Sequence, residues 1–123
     1  LSFAVKDKIK GLAKDFAGDL VSIRRHLHAH PELSFEEHQT AQFVAAKLKE
    51  YGLNPQVGVA DTGVVALIEG QNPASRTLAL RADMDALPIE EENQVSYRST
   101  VPGVMHACGH DVHTTSLLGV ARI

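Results

Sequence analysis

Little in this chain could hold it together covalently. It has one cysteine in 123 residues, so an intrachain disulfide is impossible and the disulfide-stapled class of small secreted domains is excluded. Long apolar runs are missing too. The longest, Val64 to Ile68, falls far short of the ~20 residues a membrane helix requires. The first residues show neither an initiator Met nor the apolar core of a signal peptide, which makes the cytoplasm the default compartment. Neither sign of charge is in great excess: 12 Lys and Arg against 15 Asp and Glu give a net charge of -3. With no basic stripe, neither nucleic acid nor an anionic membrane is expected as a partner. There is no internal repeat and no low-complexity tract. The balance of 44% hydrophobic and 22% charged residues is that of a folded globular domain.

What the chain does have is histidine. Six of its seven histidines fall in two short windows, His26, His28 and His30, then His106, His110 and His113, and Cys108 lies inside the second. Around them the pattern is helical, then extended, then helical again. Ile9, Leu12, Ala13, Phe16, Leu20, Ile23 and Leu27 recur at helical spacing and predict one long helix that Pro31 stops. Ser34 and Glu37 have the spacing of a capping box, in which each side chain satisfies a free backbone N–H of the first turn. The box would open a second helix whose buried stripe is Ala41, Val44, Ala45, Leu48 and Tyr51, with Gly52 as its left-handed stop. Val57 and Val59, a turn at Asp61-Thr62-Gly63 and the run from Val64 predict a hairpin. Thr77-Leu78-Ala79-Leu80 suits a central strand buried on both faces. Residues 88 to 104 are polar and broken by Pro88, Pro102 and Gly103, as in a loop. From His113 to Ile123 a helical pattern resumes and carries no stop signal, which predicts the front part of a longer protein.

Three segments could carry chemistry. In Met105 to Thr114, MHACGHDVHT, Cys108 and His110 stand two apart, so in an extended segment they point the same way. A thiolate and a neutral imidazole suit zinc or another borderline divalent ion, and Asp111, His106 and His113 could orient them from behind. The bland alternative is a histidine-rich turn with an inert cysteine. In Leu80 to Ile89, LRADMDALPI, a strand runs into Asp83 and Asp85, which an extended backbone aims to one side. Such acids bind cations or fix a histidine, or merely cap a turn. In RRHLHAHPELSFEE, residues 24 to 37, the histidines close a helix, where basic side chains also suit the macrodipole. A scaffold role is the favoured reading for that window.

In that order and wording the three blocks resemble the metal-dependent amidohydrolase and carboxypeptidase family of aminoacylases, hippurate hydrolases and indoleacetyl-amino-acid hydrolases. The resemblance runs from about Ser22 to the end. It implies an α/β fold: the N-terminal part of a zinc-peptidase-like catalytic domain, two helices followed by a mixed sheet flanked by helices. Residues 1–123 would be the N-terminal portion of that domain, with the inserted dimerisation or lid domain and the C-terminal half lying outside. It further implies a two-metal centre, zinc in first place with manganese or cobalt as alternatives, a small N-acyl amino acid or peptide substrate, and a homodimer. By the match, Cys108 and His110 are metal ligands and Asp85 is the aspartate that orients the site. Asp83 stands where related peptidases carry a histidine ligand. The family's general-base glutamate, its ligand glutamate and two more histidine ligands would follow later. Glu90-Glu91-Glu92 precede the metal motif and do not match.

On this reading the whole protein hydrolyses an amide bond, and the segment holds about half the site. Two alternatives belong to other classes. One is a non-catalytic fragment or truncated relative that binds at most one metal ion. The other is a hydrolase with Cys108 as nucleophile, activated by His106 or His113; chelators would spare it and silence a metal enzyme.

Overall fold

A computed structural model describes residues 2–123. The helical stripe of the first segment forms two helices, α1 (Phe3–Asp15) and α2 (Ala17–Ala29), broken only at Phe16. The break is one residue wide, since Phe16 still donates to the Leu12 carbonyl and accepts from Leu20. The halves differ in burial. Ile23, Leu27 and His28 of α2 are buried, whereas α1 buries no residue among those described, so the predicted stripe packs only in its second half. Pro31 follows the end of α2, and Thr100 caps it by donating its N–H (2.9 Å) and hydroxyl (2.7 Å) to the Ala29 carbonyl.

Helix α3 (His38–Glu50) buries Ala41, Val44, Ala45 and Leu48 of the predicted stripe, while Tyr51 caps its end and is partly buried. It does not start with the predicted capping box. Ser34 is exposed, and Glu37 turns its carboxylate to the Thr62 hydroxyl at 2.7 Å. Glu32 takes over the cap from outside the helix: its carboxylate accepts from the N–H groups of Gln39 (3.1 Å) and Thr40 (2.7 Å) and from the Thr40 hydroxyl (2.8 Å). One longer carboxylate thereby satisfies two free N–H groups of the first turn. At the other end Gly52, at φ +81, lets Leu53 donate back to Leu48 and Gly52 to Lys49, the paired bonds of a left-handed helix stop.

The predicted hairpin is present. Strands β1 (Gln56–Val59) and β2 (Gly63–Val65) pair antiparallel, with Val57 opposite Val64 and an irregularity at Gly58. The run Thr77 to Leu80 is not a buried central strand. It pairs with nothing among the described residues, and Leu78 and Leu80 are 79% and 58% exposed. A doubly buried strand needs ladder partners on its edges and cover on its faces, and neither is among the described residues here.

Helix α4 (His110–Arg122) begins three residues earlier than its apolar pattern suggested. Ile23 and Leu27, Val44 and Leu48, and Leu118 of α4 form the core, with Met84 and Val64 packed against it. Burying each such aliphatic side chain is worth roughly 1.5–3 kcal/mol. Helices α2 and α4 approach closely because Gly119 faces Leu20; a Cβ there would lie 3.1 Å from a Leu20 methyl. The architecture is thus mixed α/β, with four helices and a two-stranded sheet among the described residues.

Candidate metal centre

The segment after residue 80 is fixed by single bridges rather than a full strand. Ala86 donates to the Glu32 carbonyl at 2.7 Å, and Leu87 exchanges bonds with Met105 at 2.9 and 3.0 Å. One side of residues 85–87 is thereby tied to the α2–α3 connection and the other to the histidine motif. That arrangement brings Asp85 beside His110, 25 residues away in sequence.

The resulting contact is specific. His110 Nδ1 faces the Asp85 carboxylate Oδ1 and the Asp85 carbonyl oxygen, each at 3.0 Å. A carbonyl oxygen can only accept, so Nδ1 carries the proton and donates it. The ring's lone pair is then on Nε2, the tautomer a metal-ligating histidine needs, with the orienting carboxylate that such histidines commonly have. Just before it, Gly109 adopts φ +100 as the residue preceding α4. This left-handed conformation is costly for any residue with a Cβ, and it turns the chain between Cys108 and His110. The Cys108 side chain is exposed and free.

The other predicted site residues are placed differently. His113 is exposed on α4 with its ring 5.8 Å from that of His110. Asp83 pairs with Arg81, and its carbonyl accepts the Thr114 hydroxyl at 2.9 Å. His106 is buried, and neither ring nitrogen has a hydrogen-bond partner. Burial holds its pKa below the ordinary value; nearby His28 and His110 push the same way, and Asp111 and Asp85 oppose them. Its nitrogens therefore do not reach Cys108 to activate it. Asp111 is buried and turns away from the motif towards α2, where its Oδ2 meets His28 Nδ1 at 2.7 Å and Arg24 Nε at 3.0 Å. No group of three or more His, Cys, Asp or Glu side chains arranged to hold a metal occurs among the described residues.

Two residues around Asp111 carried no signal in the sequence. His28 was one of three histidines closing a helix, yet it is buried with a carboxylate at each ring nitrogen, Asp111 at Nδ1 and Glu91 at Nε2 (3.0 Å). Glu91 belongs to an acidic run in a polar loop, yet it too is buried. Its carboxylate accepts from the Ser99 N–H at 2.5 Å and from Asn93 at 3.2 Å. Burial alone would raise its pKa. The bonds from Ser99, His28 and Asn93 outweigh burial and bring it down from 4.5 to about 2. A carboxylate whose pKa is lower folded than unfolded stabilises the fold above the unfolded value. That contribution is lost as the pH falls from about 4.5 to about 2. Glu91→Gln is therefore expected to unfold with less proton uptake over that range. Urea midpoints measured from pH 6 down to pH 2.5 should fall less steeply for the variant; parallel curves would contradict the assignment.

The chain is similar to known proteins over nearly its whole length. Residues 79–123 match the peptidase family M20/M25/M40. Over 96% of its length the chain is 53% identical to an N-acyl-L-amino acid amidohydrolase of Geobacillus stearothermophilus, covering 32% of that protein. It is 47% identical to thermostable carboxypeptidase 2 of Saccharolobus solfataricus, over 95% of this chain and 30% of that one. The crystal structure of a dinuclear metal-binding peptidase of family M20 from Bacillus subtilis superposes with a TM-score of 0.84 at 44% identity, over 89% of this chain and 31% of that one. The chain therefore spans about a third of the length of these relatives. No helix among the described residues is long and apolar enough to cross a membrane.

Proposed function

We propose that this chain is the N-terminal part of a member of peptidase family M20/M25/M40, which residues 79–123 match, and that the whole protein is a metal-dependent hydrolase of the amide bond in small N-acyl amino acids or peptides. Residues 1–123 are its N-terminal portion of the catalytic domain, and Cys108 and His110 are two of its metal ligands. The observation that carries this reading is the bond from His110 Nδ1 to Asp85, which leaves Nε2 as the ring's lone pair two residues from a free thiol. An imidazole and a thiol together form a borderline donor set that fits zinc first, then cobalt or manganese.

In the whole protein two divalent ions would supply a polarised carbonyl and an acidified water. The residues of this chain have simpler tasks. Asp85 fixes the His110 ring and its tautomer. Gly109 sets the angle between the two ligands. Cys108, as thiolate, brings negative charge to the centre, so metal affinity falls at low pH as the thiol competes for its proton. A homodimer and a cytoplasmic location complete the reading, both taken from the family resemblance and the composition.

The test uses the intact protein stripped by a chelator. Hydrolysis of N-acetyl and N-benzoyl amino acids should disappear on stripping and return on adding Zn²⁺, Mn²⁺ or Co²⁺. Full activity in the stripped protein, abolished by thiol alkylation, would overturn this reading in favour of a cysteine nucleophile.

A further inference from the structure

We infer that His28, on α2, is a positioning residue for the metal centre, holding the first turn of α4 through Asp111 so that His110 and Cys108 meet the ion at the right angle. The inference rests on the metal-ligand reading above and adds a residue to it from a separate part of the fold.

Two consecutive residues of α4 are held by imidazole–carboxylate pairs running in opposite senses. At His110 the ring belongs to α4 and the carboxylate, Asp85, lies outside it. At Asp111 the carboxylate belongs to α4 and the ring, His28, lies outside it, at 2.7 Å. Successive residues on a helix are turned by about 100° from one another, so the two bonds leave α4 in different directions. One bond alone would allow the helix to roll about it. Together they fix its rotation as well as its place, and with it the aim of His110.

His28 is itself held from its far side. Its Nδ1 meets Asp111 at 2.7 Å and its Nε2 meets Glu91 at 3.0 Å, with the Arg24 guanidinium 3.2 Å from Nδ1. Glu91 is anchored in turn by the Ser99 N–H and Asn93, and its carbonyl by Arg98 at 2.7 Å. Arg24, one turn before His28, pairs with the same Asp111 oxygen at 3.0 Å and lies over the Tyr97 ring. The Tyr97 ring also meets His28 edge-on at 5.8 Å. The ring is therefore locked on every side. Buried ion clusters are poor devices for stability, since well-packed apolar side chains often do as well or better. What this one offers that apolar packing does not is direction, and it acts next to a ligand.

Two conservative variants separate the arms of the ring. In His28→Asn the short amide stands near the position of Nδ1 and can still donate to Asp111. In His28→Gln the longer amide stands near Nε2 and can reach only Glu91. Each should lose one buried bond and a similar amount of stability. Their metal affinities should differ. Co²⁺ titration of the intact, stripped protein should show His28→Gln weakened by about 10–100-fold, with His28→Asn restoring affinity to within a few-fold of wild type. Equal weakening in both, or none in either, would overturn the inference and leave His28 a structural residue only. If His28→Gln does not fold, Asp111→Asn must show the same loss of Co²⁺ affinity, and wild-type affinity there would also overturn it. A wild-type protein that binds no Co²⁺ at all would instead refute the ligand reading on which the inference rests.

Discussion

Replacing Asp111 with alanine is expected to destabilise the protein by about 3–5 kcal/mol, the loss typical when one partner of a buried ion pair is removed. Its side chain has no exposed area. One oxygen meets His28 at 2.7 Å and forms an ion pair with Arg24 at 3.0 Å, and the other accepts the Val112 N–H at 2.9 Å. Alanine leaves His28 with one carboxylate instead of two in a place water does not reach. Arg24 is 30% exposed and can recover solvent, so most of the penalty falls on the histidine. Domains of this kind are stable by only about 5–15 kcal/mol, so the variant should give up a large share of that margin. Asp111→Asn keeps the shape but has a single acceptor oxygen for the Val112 N–H and His28 together, and should lose about 1–3 kcal/mol. Urea midpoints at neutral pH measure both. An alanine variant within about 0.5 kcal/mol of wild type would mean that apolar contacts such as Leu118 against α2 fasten α4 without help.

His110→Ala should behave in the opposite way, with small loss of stability and large loss of function. The side chain is 18% exposed, at the mouth of its site, and its bond to Asp85 is between partly solvated groups, an arrangement worth about 1 kcal/mol or less. As a metal ligand it should nonetheless be indispensable. Asp85→Ala, which removes only the carboxylate that orients the ring, should lower metal affinity and activity about 10–100-fold. His110→Ala should exceed that, by more than about 100-fold. Measuring kcat/KM and bound metal in both variants of the intact protein tests the order. Equal metal content in His110→Ala and wild type would remove His110 from the centre.

The parts of the fold legible in the sequence are those whose causes are local or periodic. The stripe of α3, its stop at Gly52 and the hairpin around Asp61 follow from spacing and from residues that tolerate positive φ. The resemblance makes Asp85 an orienting residue, and acids in its position can fix a histidine, but no local pattern names His110 as its partner. What escaped depends on partners distant in sequence. Ser34 has the right spacing for a cap, but Glu32 has the longer reach and the better position, and nothing local separates them. Thr77 to Leu80 has the composition of a buried strand, yet burial belongs to its neighbours and not to the run itself. Glu91 is the sharpest case. In a polar loop an acidic residue usually faces water; this one is buried against His28, 63 residues earlier, and the Ser99 N–H. The first histidine window reads as scaffold rather than as ligands. What that reading lacks is the particular ring, His28, which is buried and grips the helix on which the second window stands.

The central claim is that Cys108 and His110 bind the same metal centre, and the cobalt-substituted intact protein tests it directly. A cysteine thiolate bound to Co²⁺ gives an intense charge-transfer band in the near ultraviolet. We predict that band in the wild type and its loss in Cys108→Ser, with the weaker visible bands of Co²⁺ retained or shifted. A wild-type protein that takes up Co²⁺ and hydrolyses its substrate without a thiolate band would contradict the account.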